Sequence, residues 1–469
     1  MRILFVQPDF RAGPIGFRLL ALPEPLALEI LAATVPDHEV AILDMRLESD
    51  LAGKLEQFAP DVVAVTALTT EVYAARDVLE TVKAHAAEIF TVVGGHHATL
   101  LPQDFCVPCV DAICLGEGEL VFPQLIEAVA AERVGEGIPN LVWQDRRGAF
   151  VNNGRVFGEL DMNATPRPRR DLVEKYRSEY FFQFEKPDSA VATSRGCPHR
   201  CSFCSVWQFY GGRVCQMSAQ RVVEEIRDIS TPGITFVDDN FLMNPRLGKT
   251  IADRVKAEGI NHRFSMECRS DSIVRHPDLV EKWADLGLFC VLLGLEGPSD
   301  QMLKKVNKRS TVQVNNAAVR ILQANGVSIW GAFLVDTDFT AHDFTALRDY
   351  VTEMEITHTQ FTILTPLPGT QLYREKSREL LTRDYTCFDA LHAVVPTRLP
   401  REEFYRHFAD LYRPRAIGPY LDLVDKKILS VEQCRQGHKV LMTMSRWESY
   451  LENDPVLGRR HQSNSPIAA

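Results

Sequence analysis

Twice along this chain of 469 residues, short β-rich apolar runs alternate with longer amphipathic stretches, and that alternation leaves few folds open. Five runs stand out in the first part: Ile3–Val6, Val40–Leu43, Val62–Thr66, Thr91–Val93 and Ala112–Leu115, with helical segments such as Glu71–Ala86 between them. Strands joined through helices lie parallel, and a parallel sheet is covered on both faces. Residues 1–135 are therefore expected to form a doubly wound, Rossmann-like α/β domain. In such a sheet ligands sit beyond the carboxyl ends of the strands. The loops there are Gln7–Pro8–Asp9, Ala67–Thr70, Gly94–Gly95–His96–His97 and Gly116–Glu117–Gly118–Glu119. No G-x-G-x-x-G follows the first strand, as a dinucleotide site would require.

Residues 136–185 read as a hairpin, Asn140–Val151 turning at Asp145–Gly148, and a linker rich in proline and arginine, Ala164–Arg170. The basic cluster Arg167–Arg170 reads as solvated linker. Residues 186–375 resume the alternation with six runs: Ala190–Ser194, Ile234–Val237, Arg263–Met266, Val291–Leu293, Ile329–Leu334 and Gln360–Leu364. Helical patterns such as Val222–Ile229 and Val312–Ala324 separate them. Six β/α units on one sheet suggest an open, partial (β/α)6 barrel with its site at the carboxyl ends of the strands. Residues 376–469 lose the alternation and read as a mainly helical region, with His461–Ala469 as a disordered tail.

Composition narrows the function classes. A net charge of −10 with mixed signs provides no basic footprint for nucleic acid. No stretch reaches the run of about 18 apolar residues that a membrane-spanning helix needs. Leu19–Val35 comes nearest and is interrupted by Pro23, Glu24, Pro25 and Glu29. The opening apolar run stops at Pro8 and Asp9, too soon for a signal sequence. A cytoplasmic protein with at most peripheral membrane contact is expected. Its eleven cysteines then read as reduced thiols, some of them metal ligands.

Three of those thiols are clustered. Ser194–Arg195–Gly196–Cys197–Pro198–His199–Arg200–Cys201–Ser202–Phe203–Cys204 follows the first barrel run and carries a C-x3-C-x2-C pattern. Three sulfurs can hold three irons of a cubane and leave the fourth open, whereas a closed zinc site needs a fourth ligand, for which His199 or Cys215 is the candidate. Cys106, Cys109, Cys114, Cys268, Cys290, Cys387 and Cys434 lie in or beside apolar runs and read as small core hydrophobes.

At the cysteine loop the chain resembles the radical S-adenosylmethionine (SAM) superfamily, over roughly residues 186–375. The resemblance implies a [4Fe–4S] cluster on Cys197, Cys201 and Cys204, with SAM chelated to its unique iron. It puts Asp238 and Asp239 near the SAM amino group, Arg269 against the SAM carboxylate, and Glu296 against the ribose hydroxyls. A Rossmann-like domain ahead of such a core further resembles the cobalamin-binding subfamily. That likeness points to Thr66, Leu68, Thr69, Thr70, Gly94, Gly95, Gly116 and Glu117 as cobalamin contacts. Many cobalamin domains supply a histidine to cobalt from D-x-H-x-x-G after the first strand. Here the loop reads Asp9–Phe10–Arg11–Ala12–Gly13. The lower face of cobalt is therefore expected to carry water or an apolar side chain such as Leu68, with His96 and His97 as turn residues.

Such a resemblance implies a C-methyltransferase in which a radical derived from SAM abstracts hydrogen from an unactivated carbon and methylcobalamin delivers the methyl group. It also implies a small-molecule or lipid substrate and a one-electron reductant such as ferredoxin or flavodoxin. Within the subfamily the chain, including Phe17–Glu29 and Thr397–Tyr412, most resembles the hopanoid C-3 methylases. A ring-forming cyclase of magnesium-protoporphyrin monomethyl ester, a cobalamin-dependent methylase of a different small molecule and a non-enzymatic cobalamin carrier or sensor are the alternatives. A tRNA methylthiotransferase fits less well, lacking its extra cluster and RNA-binding domains. Phe404, Tyr405, Phe408, Leu411 and Tyr412 recur at helical spacing, followed by Tyr420, Leu421, Leu423 and Val424. Packing on the barrel is the plainer reading of that stripe, a lipid-facing surface the other.

Overall fold

The structure is a computed structural model that describes residues 1–10, 15–135, 137–158, 160–182, 185–356, 358–413, 424–425 and 429–457. Arg11, Ala12 and Gly13 of the first loop, Tyr420, Leu421 and Leu423 of the apolar stripe, and the tail His461–Ala469 lie outside them.

Two parallel sheets organise the molecule. In the first, Glu39–Asp44, Arg2–Gln7, Val62–Thr66, Phe90–Gly94 and Ala112–Cys114 lie side by side in that order, all parallel. All five apolar runs of the amino-terminal part became its strands. The order reverses between Arg2–Gln7 and Val62–Thr66, which makes their carboxyl ends the switch point where a ligand fits. Ile3, Leu4, Phe5 and Val6 are fully buried, as strands covered on both faces must be. The hairpin Leu141–Gln144 and Phe150–Asn152 pairs antiparallel with Ala112–Cys114 and extends this sheet.

The second sheet runs Asp188–Val191, Gly233–Phe236, Arg263–Arg269, Leu288–Glu296, Ser328–Val335 and His358–Ile363 in chain order, every pair parallel. Helices such as Ala219–Arg227 and Val312–Ala324 cover its outer face, capped by Ser218 and Thr311. The first strand is shorter than its apolar run. Ser194 and Arg195 leave the sheet and pair antiparallel with Cys215 and Gln216.

In the carboxyl-terminal region the helices Arg401–Leu411 and Val431–Met444 are separated from the barrel by a stretch whose short 3-10 turn is Tyr385–Cys387. Phe404, Tyr405 and Phe408 are fully buried, and Tyr412 exchanges hydrogen bonds with the backbone of Phe361 in the last barrel strand. The Phe404–Tyr412 part of the stripe therefore packs on the barrel. No helix among the described residues is long and apolar enough to cross a membrane.

The arginine cluster of the linker corrects the solvated reading. Arg167 is exposed, on Asp228 and Glu224, but Arg170 is largely buried and bonds Glu24, Glu225 (2.8 Å) and the Ala190 carbonyl (2.7 Å). Glu24 also binds Arg177 and accepts the Ala190 amide at 2.7 Å. Burial beside this knot holds the Glu29 carboxyl well above its ordinary pKa. Removing one member strands the others without their counter-charge. Arg170→Met is expected to lower unfolding free energy by about 3–5 kcal/mol, read from denaturant melts, whereas the exposed Arg167→Met changes it by less than about 1 kcal/mol.

Candidate functional site

The carboxyl ends of the two sheets face each other across a cleft of about 400 Å³. Its walls are largely apolar: Leu26, Ile30, Leu31, Leu68 and Phe122 from the first domain, Phe209 and Val237 from the second. Thr66, Gly94, Gly95, His96, Gly116 and Glu117 line it from the strand ends, and Arg195 and Asp239 from the barrel.

The cysteine loop lies on the barrel side and is held by backbone contacts. Asp238 is fully buried, and its carboxylate accepts the Thr193 amide (3.0 Å), the Thr193 hydroxyl (2.7 Å) and the Ser194 hydroxyl. These bonds draw the chain out of the sheet after Val191, and burial still raises the Asp238 pKa to about 6. Asp239 accepts the Gly196 amide at 2.9 Å. Gly196 has a φ of +90°, and a Cβ there would meet the Arg213 carbonyl oxygen at 2.2 Å, so no other residue fits that turn. Cys201 is buried, Cys197 and Cys204 half-buried, and burial pushes the Cys204 thiol up to about 12. Among the described residues no three His, Cys, Asp or Glu side chains converge closely enough to hold a single metal ion.

The two other predicted strand-end residues, Arg269 and Glu296, are brought to the same place, each already engaged by the protein. Arg269 donates to Asp271 (2.9 Å) and the Lys308 carbonyl (2.7 Å), and lies 3.9 Å from the Cys201 sulfur. Glu296, at a φ of +62°, forms a buried ion pair with Lys308. Gly294 leaves room for that pair, since a Cβ would meet Lys308 Nζ at 2.7 Å. Lys308 escaped the sequence reading because it belongs to no strand. So did Glu267, two residues before Arg269 and thus on the same face of its strand. Its side chain is exposed to solvent. Desolvation first, then the charge of Asp239, raises its pKa to about 8.

On the cobalamin-domain side the expected contacts divide. Leu68 is 54% exposed at the switch point. Thr69 bonds His97 (3.2 Å), and neither Thr69 nor Thr70 is among the residues lining the cleft. His97 is fully buried, its other nitrogen 3.0 Å from Asp104. His96 does line the cleft, stacked on Phe209 at 4.8 Å with Nε2 2.7 Å from the Ser205 hydroxyl. Desolvation lowers its pKa to about 4, so the ring is neutral. Glu117 and Glu119 reach Arg195 at 3.5 and 2.6 Å, tying their loop to the residue before Gly196. Gly95, at a φ of +94°, permits close passage over Thr66, whose Oγ1 a Cβ would meet at 2.6 Å.

The loop carrying Leu68 is held by Glu71, which accepts the Leu68 amide (2.8 Å) and Gln7 Nε2 (3.0 Å). Burial raises the Glu71 pKa to about 7. A carboxyl whose folded pKa lies above its unfolded value binds its proton more tightly when folded. Its contribution is complete below about pH 4.5 and is lost as pH rises through 7. Glu71→Gln is expected to flatten the fall in stability between about pH 5 and pH 7.5, measured as the difference in denaturant midpoint from the parent protein.

Comparison with known proteins agrees with this arrangement. The family described as B12 binding domain matches residues 15–126, and the radical SAM superfamily matches residues 191–351. The chain is 34% identical over 415 residues to the hopanoid C-3 methylase of Methylococcus capsulatus, covering 86% of this chain and 78% of that one. It is 32% identical to an uncharacterized methyltransferase of Pyrococcus horikoshii, covering 83% and 87%. Among solved structures, the cobalamin-dependent SAM radical enzyme OxsB, with aqua-cobalamin and SAM bound, superposes with a TM-score of 0.70 at 16% identity, over 93% of this chain and 71% of that one. The radical SAM methyltransferase TsrM from Kitasatospora setae gives 0.65 at 19% identity, over 80% and 76%. With a cobalamin-binding sheet facing a radical SAM barrel and this identity along most of its length, the chain belongs to the cobalamin-dependent radical SAM methyltransferases.

Proposed function

We propose that this enzyme methylates an unactivated ring carbon of a large apolar polycyclic lipid, specifically C-3 on ring A of a hopanoid. The observation that carries the reading is the 34% identity to a hopanoid C-3 methylase over 86% of the chain. The apolar cleft walls support it, since a saturated ring system binds by burial of its own surface. A lipid substrate would bring this cytoplasmic enzyme to the membrane periphery.

Cys197, Cys201 and Cys204 would hold the [4Fe–4S] cluster, and their setting suits it. Three sulfurs within eight residues can hold three irons of a cubane and leave the fourth open, whereas a closed zinc site needs a fourth ligand. Buried thiols also need a nearby cation to ionise, which iron provides. When bound, SAM, cluster and cobalamin supply the radical chemistry and the methyl group.

The chain's own residues position and exclude. Asp238 sets the start of the cysteine loop, and Asp239 fixes Gly196. Arg269 presents positive charge beside Cys201. Asp239, Glu267, Arg269 and Glu296 are the polar groups available to the amino, carboxylate and ribose groups of SAM. Thr66, Leu68, Gly94, Gly95 and Gly116 shape the cobalamin side, Thr69 steadies the loop through His97, and Glu117 joins it to the barrel through Arg195. The apolar walls keep water from the reacting carbon.

Cobalamin is expected to bind with no protein histidine on cobalt, because the first loop has none, His97 has both ring nitrogens engaged and His96 has its Nε2 on Ser205. Electron paramagnetic resonance of the cobalt(II) form should show no nitrogen superhyperfine splitting. A splitting that disappears in His96→Ala would refute this.

Expression in a host that makes hopanoids without ring methylation should yield ring-A methylated hopanoids by mass spectrometry, and none with the three cysteines changed to alanine. Folded, SAM-cleaving enzyme that leaves hopanoids untouched and methylates another metabolite would overturn the substrate assignment alone.

A further inference from the structure

Outside the cleft, the outer side of the cysteine loop gathers positive charge on a chain whose net charge is −10. Trp207, half-buried, donates its indole N–H to the Cys201 carbonyl at 3.2 Å. The Arg200 guanidinium lies 5.6 Å from the Trp207 ring. Next to Trp207, the Gln208 side-chain oxygen, in the amide orientation that satisfies it, accepts both terminal nitrogens of Arg374 (3.1 and 2.9 Å). On the other flank Asn307 donates to the Arg200 carbonyl at 2.6 Å, which brings up its neighbours Arg309 and Lys304. Arg200, Lys304, Arg309 and Arg374 are all exposed. None of the four is in an ion pair among the described residues, whereas Lys305 and Lys376 nearby are paired, with Asp336 and Glu379. Glu375, held by Gln371, stands next to Arg374 as an opposing charge, and Asp336 and Asp338 lie on Lys305 beside Lys304.

Unpaired exposed cations repel each other, and here four of them lie on the segments that meet at the cysteine loop, beside an indole. The same indole touches the backbone of a cysteine proposed to hold the cluster. A surface that must receive electrons for a group buried behind it needs a short route inward and a charge that orients the donor.

We infer that the patch formed by Arg200, Lys304, Arg309 and Arg374 around Trp207 is the docking surface for an acidic, low-potential one-electron carrier protein. The inference rests on the assignment of the cluster to the three cysteines. In the step it serves, the carrier loses one electron and the cluster gains it; no atom is transferred and no bond changes. The exposed guanidinium and ammonium groups supply electrostatic steering, which speeds encounter and weakens with salt.

The test uses the full-length protein with cluster and cobalamin reconstituted, and a purified acidic flavodoxin as the probe. Binding of oxidised flavodoxin is measured by calorimetry at two salt concentrations, and reduction of the cluster by flavodoxin hydroquinone is followed by stopped flow. Arg200→Glu/Arg374→Glu is expected to weaken binding and slow reduction about tenfold or more at low salt, with a shallower salt dependence. Reduction by titanium(III) citrate should keep its parent rate. Because Arg200 lies within the cysteine loop, Lys304→Glu/Arg309→Glu repeats the test with the loop unaltered, and Arg146→Glu on the distant hairpin turn controls for net charge. Parent-like affinity and rate in both double variants, or an equal loss in Arg146→Glu, would overturn the docking surface while the cluster assignment stands. A reconstituted parent protein without about four irons and without iron–sulfur absorption would remove both.

Discussion

The buried carboxylate of Glu24 is the contact on which the arrangement depends. It binds Arg170 and Arg177 of the segment after the linker and the amide of Ala190 in the first barrel strand, two stretches of chain remote from it in sequence. Taking these charges out of water is costly unless each is paired and hydrogen-bonded, so the knot tolerates few alternative geometries. It fastens the amino-terminal segment to the strand that leads directly into the cysteine loop. A second set of contacts, Arg195 with Glu117 and Glu119 and His96 with Ser205, joins the two domains at the cleft.

Between those two attachments the strand ends of both sheets face one another, and the chemistry follows from that opposition. Each parallel sheet exposes its ligand-binding loops at one edge only. Two cofactors on separate domains act on one carbon only if those edges meet. The cleft provides the meeting place with apolar walls, and the polar groups concentrate near the cysteine loop, where Asp239, Glu267, Arg269, Glu296 and Lys308 lie at or near the barrel strand ends.

Several strand-end residues hold the site instead of reaching out of it. Asp238 looks in sequence like a ligand-binding acid, but its oxygens are engaged by Thr193 and Ser194, and that engagement ends the first barrel strand early. Thr69 likewise supports His97. The cysteine loop needs such internal anchors, because its backbone departs from the sheet and loses the ladder bonds that would otherwise fix it.

By itself the sequence determined the two parallel sheets, since every apolar run of the two alternating regions became a strand and hydrophobic periodicity is a local property. It also determined the cysteine triad, whose three members lie within eight residues and need no distant partner to be recognised. Only the tertiary structure decided that Arg170 is buried, that Glu296 pairs with Lys308, and that His96 braces Ser205. Each of these depends on which charged groups meet across long sequence separations and on how much water is excluded where they meet. Neither quantity is written in local residue pattern, because the same glutamate or histidine is solvated or buried according to what the rest of the chain places against it.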